Sequence, residues 1–298
     1  YAETPDTSPL LPAKSATLVQ KIVGTFLYYA MAVDATMLVA LGSIAATRSK
    51  ATGKTYSEVL WLLNYADSNP DAVIQYSASD MVLHIHSDGS YLSEPKSRSR
   101  AGGHFFLSDL SPSPAEQPKT VPKANGPIYS LSKIIRNDMG SAAEAEIASS
   151  YTNGQEAIPI RTTLEEMGHP QPPTPMQVDN STAEGFANDT IKQKRSKAMD
   201  MRFYWIQDRT RQGQFLVYWR PGTANLADYH TKHHSAAHHR LMRPHFLHTT
   251  EHLAHNVIQL LLRGCVKSRG TQSRGTHCPE GTHSPMPTTT KNRHRHLL

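Results

Sequence analysis

Along residues 82 to 92, VLHIHSDGSYL, apolar and polar positions alternate. Leu83, Ile85 and Ser87 fall on one side of an extended chain, and His84, His86 and Asp88 on the other. A period of two predicts a strand with one mostly apolar and one polar face. The alternation stops at Asp88 and Gly89 begins a turn, so the strand is expected to end by presenting a carboxylate. RAGGHFFLSDL (100 to 110) and GPIYSLSKII (126 to 135) read as second and third strands. Between them SPSPAEQPKTVPKAN reads as a surface loop.

Further on, the period lengthens. SAAEAEIASSYTNGQEAI spaces Ile147, Tyr151 and Ile158 for one buried helical face, with Pro159 expected to kink or restart the helix and Gly168 to stop it. TPMQVDNSTAEGFAN predicts a short strand, Met176 and Val178 facing one way, running into a helix capped by Asn180 or Ser181. SKAMDMRFYWIQDRTRQG reads as a helix, FLVYWRP as a strand and TANLADYHTK as a last helix. Strands and helices in this order predict an α/β architecture, a mixed sheet covered by helices, over residues 81 to 235.

Residues 1 to 80 are helical in pattern. The run from 22 to 46, IVGTFLYYAMAVDATMLVALGSIAA, is long enough to span a bilayer but carries Asp34 at its middle, which costs about 2.5–3.5 kcal/mol on insertion scales. Two helices breaking near VDAT explain it better, the first packing Ile22, Phe26 and Ala30 and the second Met37, Leu41 and Ile44. No membrane association is expected. A third helix fits SEVLWLLNYADSNP, ending before Pro70. Residues 236 to 298 lose periodicity except in LAHNVIQLLL (253 to 262), and a disordered tail is expected there.

Charge changes this picture only once it is divided. The net charge of +6 suggests nucleic-acid binding. Yet residues 1 to 80 carry 5 Lys+Arg against 7 Asp+Glu, residues 81 to 235 carry 17 against 16, and residues 236 to 298 carry 9 against 2. The excess belongs to the tail. Two cysteines, Cys265 and Cys278, make no disulfide framework and suit a reducing compartment. The opening YAETPDTSPLLP has no signal-peptide pattern and no initiator Met, so the sequence reads as part of something longer.

The candidate chemistry is carboxylate. Asp88 and Asp179 each end a predicted strand, Glu144 and Glu146 start the long helix, and Asp228 lies near the end of the sheet region. Acids gathered together raise one another's pKa and need a cation. Oxygen ligands with room for water suit Mg²⁺, and two such ions about 3.5–4 Å apart can drive phosphodiester hydrolysis.

The words around these acids carry a resemblance. SDGSYLSEPKSRSRAGGHFFL, SAAEAEIASSYTNGQEAIPIRTTLEEMG, VDNSTAEG, KRSKAMDMRFYWI and YWRPGTANLADYHTK, in that order, closely resemble the ribonuclease H domain of copia-type retrotransposon Pol polyproteins. QKIVGTFLYYAMAVDATMLVALGS resembles the helical connection that follows the reverse transcriptase domain in the same polyproteins. The resemblance implies a ribonuclease H-like fold over 81–235, preceded by a helical connection over 1–80 and followed by the tail at 236–298. It implies four metal-binding, catalytic acids: Asp88 closing the first strand, Glu146 rather than Glu144 from AEIAS, Asp179 from DN-x-x-A, and Asp228 from N-x-A-D. Asp88 and Asp179 would bridge or flank two Mg²⁺ ions, for which Mn²⁺ may substitute. Glu146 would hold one ion near the ribose and Asp228 would complete the other site loosely.

The activity implied is hydrolysis of the RNA strand of an RNA–DNA hybrid, told from duplex DNA by its 2′-hydroxyls. Asn180, Ser181 and Lys197 are candidate substrate contacts, with Lys194 and Arg195 beside the last of these. The implied partners are the hybrid and the remainder of the polyprotein with its reverse transcriptase domain. The implied setting is intracellular, in a cytoplasmic virus-like particle or in the nucleus. Departures leave the acids alone: Tyr91 stands where many of these elements place a Trp, and GSAAEAE where they have SSTEAE. No polymerase or integrase activity is expected from this stretch alone. The alternative is a catalytically inactive remnant that at most binds nucleic acid. A recombinase of the integrase fold is rejected, because its Glu follows the second Asp whereas Glu146 precedes Asp179. Cys265, His277, Cys278 and His283 lack zinc-ligand spacing. His230, His233 and His234 follow Asp228, where related enzymes use a His to help product leave.

Overall fold

The computed structural model describes residues 6–110, 122–191 and 201–248. Five strands form one sheet: β1 (Val82–Glu94), β2 (Arg98–Ser108), β3 (Pro127–Ile134), β4 (Thr174–Val178) and β5 (Phe215–Trp219), in the order β3-β2-β1-β4-β5. β1, β2 and β3 pair antiparallel, while β4 pairs parallel to β1 and β5 parallel to β4. The order and directions follow from the connections. A short link joins β1 to β2, residues 109–126 connect β2 to β3, and helices lie between β3 and β4 and between β4 and β5.

β1 departs from expectation in two ways. It does not end at Asp88 but continues through Gly89 to Glu94, with Asp88 paired opposite Gly102 of β2. The carboxylate therefore rises from the middle of a strand. Nor is the His84 and His86 side a solvent face, because both rings are buried. They lie against Phe106, with centroids 5.5 and 5.2 Å away. On the same side His104 and His230 pack against Phe246. A central strand covered on both faces cannot be told from a half-buried one by alternation alone when its second face is built of imidazoles.

The other face of the sheet packs under α4 (Ala142–Glu166), which with α5 (Ser181–Ala187) and α6 (Tyr204–Arg211) closes a core of Leu83, Ile85, Phe105, Ile147, Met176 and Phe215. α4 continues through Pro159 without a restart. Its C-terminal half is clamped to the chain before β4 by Arg161, whose Nη1 donates to the Pro172 carbonyl at 2.6 Å and the Thr174 hydroxyl at 2.5 Å. That anchoring offsets the one backbone bond a proline removes. At the end, Gly168 takes φ +89 and His169 N–H returns to the Leu164 carbonyl at 2.9 Å. This is the left-handed stop that glycine makes cheaply.

Residues 13–68 form α1 (Ala13–Ala32), α2 (Leu38–Thr47) and α3 (Gly53–Ser68) around an apolar cluster of their own, including Val19, Leu41, Ile44, Val59 and Leu62. The break at VDAT is made by Asp34, whose buried carboxylate accepts from Thr36 N–H at 3.1 Å and from the Tyr65 hydroxyl at 3.3 Å. These helices belong to the same compact unit as the sheet. Among the described residues, no helix is long and apolar enough to cross a membrane.

TANLADYHTK is not the expected α-helix but two 3-10 turns, Gly222–Ala224 and Leu226–His230. Asn225 decides this: its amide donates to the Ser87 carbonyl at 2.8 Å while its Oδ1 accepts from Ala227 N–H. Bonds to β1 hold the chain in a tighter path than local propensity would choose. Residues 236–248, expected in the tail, fold as α7 (Ala236–Met242) and a turn that buries Phe246 and Leu247. The expected surface loop at 111–121 and the periodic stretch at 253–262 lie outside the described residues.

Candidate metal and catalytic site

Parallel pairing of β1 and β4 places Ile85 opposite Met176. Three residues further along each strand, the same register brings Asp88 and Asp179 to the same level. α4 crosses β1 so that Glu146, one turn in from its Ser141 cap, comes down beside them. Carboxylate oxygens of Asp88, Glu146 and Asp179 all lie within 4.8 Å of one another. Gly89 makes the approach possible: a Cβ there would stand 2.5 Å from the Ala145 carbonyl oxygen. With no side chain in the way, Gly89 N–H donates to Glu146 Oε2 at 2.5 Å. The Ser149 hydroxyl of α4 donates to the Asp88 carbonyl at 2.6 Å, fixing the strand to the helix a second time.

Burial sets the electrostatics. Asp88 is pushed up to about 6, first by loss of water and then by the charges of Asp228 and Asp179, against a lowering hydrogen bond from Thr231. Its Oδ2 accepts that bond from the Thr231 hydroxyl at 2.6 Å. Glu146 is held well above the usual carboxylate range by burial, then by Asp88 and Asp179. Asp179 is raised by burial and by Asp228. Glu146 Oε1 is buried with no hydrogen-bond partner among the described residues. An orphaned buried oxygen beside two other carboxylates is a set of hard donors at close range, and it fits a divalent cation such as Mg²⁺.

Two antiparallel steps from a central strand, a helix crossing β1, and parallel strands on its other side carrying the next acid make up the ribonuclease H arrangement. Over 210 residues the chain is 21% identical to the retrovirus-related Pol polyprotein from transposon TNT 1-94 of Nicotiana tabacum, covering 70% of this chain and 15% of that polyprotein. The fold is ribonuclease H-like, and the chain resembles a retroelement Pol polyprotein. No family model matches the chain. Among solved structures, LC11-RNase H1 from compost is 13% identical over 51% of this chain and 93% of its own, with a TM-score of 0.37. The foamy viral protease-reverse transcriptase in complex with dsDNA is 18% identical over 53% of this chain and 94% of its own, with a TM-score of 0.31.

Around the three inner acids of this ribonuclease H-like domain, the other residues named from sequence fall in different places. Asp228 lies outside the tight group but acts electrostatically on Asp88 and Asp179. It is ion-paired with Lys232 at 2.5 Å. Asn180 caps α5, its Oδ1 accepting from Thr182 and Ala183 N–H, while Ser181 is exposed at the first helical position. Lys197, with Lys194 and Arg195, lies outside the described residues, as do Cys265, His277, Cys278 and His283. His230 is fully buried under Phe246, His233 bonds the Ser43 hydroxyl at 3.0 Å and His234 stacks on Tyr229.

Sequence reading missed Gly89, Thr231 and Lys232. Only Gly89 left a signal, since a glycine inside a strand pattern marks close backbone approach.

Proposed function

We propose that this chain is a ribonuclease H-type endonuclease that cuts the RNA strand of RNA–DNA hybrids with two divalent cations, as the ribonuclease H part of a copia-type Pol polyprotein. The observation that carries the reading is the meeting of buried Asp88 and Glu146 with half-buried Asp179 within 4.8 Å, which is costly unless a cation balances it. Asp88 and Asp179 would flank both cations, Glu146 would hold one and Asp228 would complete the other. The four acids would hold Mg²⁺ or Mn²⁺, which would supply water activation and charge neutralisation at the leaving oxygen.

The chain's own groups prepare that chemistry. Gly89 N–H and the Thr231 hydroxyl fix one oxygen each of Glu146 and Asp88. Choice of hybrid over duplex DNA would come from contacts to 2′-hydroxyls, with exposed Ser181 and the undescribed Lys197 as candidates. In the polyprotein, the reverse transcriptase domain would supply the hybrid.

The test uses hybrids labelled on one strand at a time, with Mg²⁺ or Mn²⁺. Cleavage of the RNA label only, with duplex DNA untouched, is the expected result. Absence of cleavage by a folded protein, with or without a reverse transcriptase domain added, would favour the inactive remnant.

A further inference from the structure

Asp228 differs from the other three acids in having a cation of its own. Lys232 Nζ stands 2.5 Å from its Oδ1, and the two side chains are 50% and 32% exposed. Asp88 and Glu146 are 6% and 2% exposed. The backbone explains the placement. Thr231, whose hydroxyl bonds Asp88, precedes Lys232 directly, so one short stretch serves an inner acid with a hydroxyl and the outer acid with a positive charge.

Resting on the reading of the four acids as a two-cation site, we propose that Lys232 is the site's built-in counter-ion. It holds Asp228 until a second divalent cation displaces it, and so makes the two cation positions unequal in strength. A half-exposed ion pair on a flexible lysine stem has little net worth, so it can be exchanged, whereas a buried pair would block the position. Lys232 also lines a cavity of about 660 Å³ with Glu58, Trp61, Tyr65, His233 and His234. The displaced ammonium can move there and keep contact with polar groups. The inner position, built on Asp88, Glu146 and Asp179, has no lysine to expel and fills first.

The test is a Mn²⁺ titration of the full chain, read by electron paramagnetic resonance and calorimetry without substrate. Wild type is expected to bind one ion tightly and a second weakly. Lys232→Met should tighten the second by about tenfold and the first by much less, since Lys232 is ion-paired with Asp228 and acts on Asp88 and Asp179 through space, whereas Lys232→Arg, which keeps the charge, should behave as wild type. In an Asp228→Asn background, Lys232→Met should have little effect. Circular dichroism confirms that each variant folds. An unchanged second affinity in Lys232→Met, or equal tightening in Lys232→Arg, overturns the proposal while leaving the acid site standing. No Mn²⁺ binding by wild type overturns the acid site and the proposal together.

Discussion

The backbone N–H of Gly89 donates to Glu146 Oε2 at 2.5 Å, so the strand that carries Asp88 also holds the acid delivered by α4. The spacing of two catalytic candidates is thus set by one residue without a side chain. Gly89→Ala would push a methyl group to 2.5 Å from the Ala145 carbonyl and 2.8 Å from Glu146 Cα, both backbone atoms of a packed helix. The expected cost is about 1–3 kcal/mol in urea unfolding. Loss of hybrid cleavage should exceed what the stability change explains, because Glu146 is moved off its partners. Unaltered stability would contradict the packing.

Asp88 predicts a pH dependence of the cation-free protein. Its folded pKa, about 6, lies above the ordinary 3.8, so the folded state binds a proton that the unfolded state has lost. That contribution is complete below about pH 4 and disappears as pH rises through 6. Asp88→Asn should therefore be more stable than wild type at pH 8 without cations, by about 1–3 kcal/mol. Saturating Mg²⁺ should narrow or reverse the difference. Chemical denaturation with and without chelator measures it.

The imidazoles under the sheet pull the other way. His86 and His230 are lowered to about 3, and His104 well below the ordinary 6.5, all first by burial. Between the folded values and 6.5 the unfolded chain binds more protons, so stability falls as pH drops through that window. His104→Phe, in a pocket shared with Phe106 and Phe246, should flatten the decline between pH 6.5 and 4. An identical acid limb in the variant would count against buried neutral histidines.

Arg100 ties the helices to the sheet. Its Nε donates to Glu94 at 2.7 Å with both side chains buried, and its Nη groups reach Ser43 on α2 and Ser132 on β3. Arg100→Met leaves Glu94 buried and unpaired and should cost about 3–5 kcal/mol. Adding Glu94→Leu should recover a good part of this, a double-mutant cycle readable by thermal melting.

Much of the sheet is legible because β1 alternates and the other strands stand out as short apolar runs, and the acids stand out where a strand pattern meets Asp. The legibility stopped where tertiary contacts overrule local signals. Gly89 reads as a turn although β2 pairs with the strand through it, and Pro159 reads as a kink or restart although the helix continues and Arg161 clamps it beyond. TANLADYHTK read as a helix although Asn225 pins it to Ser87. Residues 236–248 show no period because their buried positions, Arg243, Phe246 and Leu247, are too few to repeat. The Thr231 contact to Asp88 spans 143 residues of chain, and no local pattern encodes such a pair.

The central claim is that Asp88, Glu146 and Asp179 form a working cation site, and one measurement tests it most directly. Single-turnover cleavage of an RNA-labelled hybrid would be followed for wild type and Glu146→Gln, a change that keeps the side-chain shape and removes the charge. Mg²⁺-dependent cutting by wild type that falls at least a hundredfold in a folded Glu146→Gln protein is the predicted result. Cutting that survives the substitution unchanged would contradict the account.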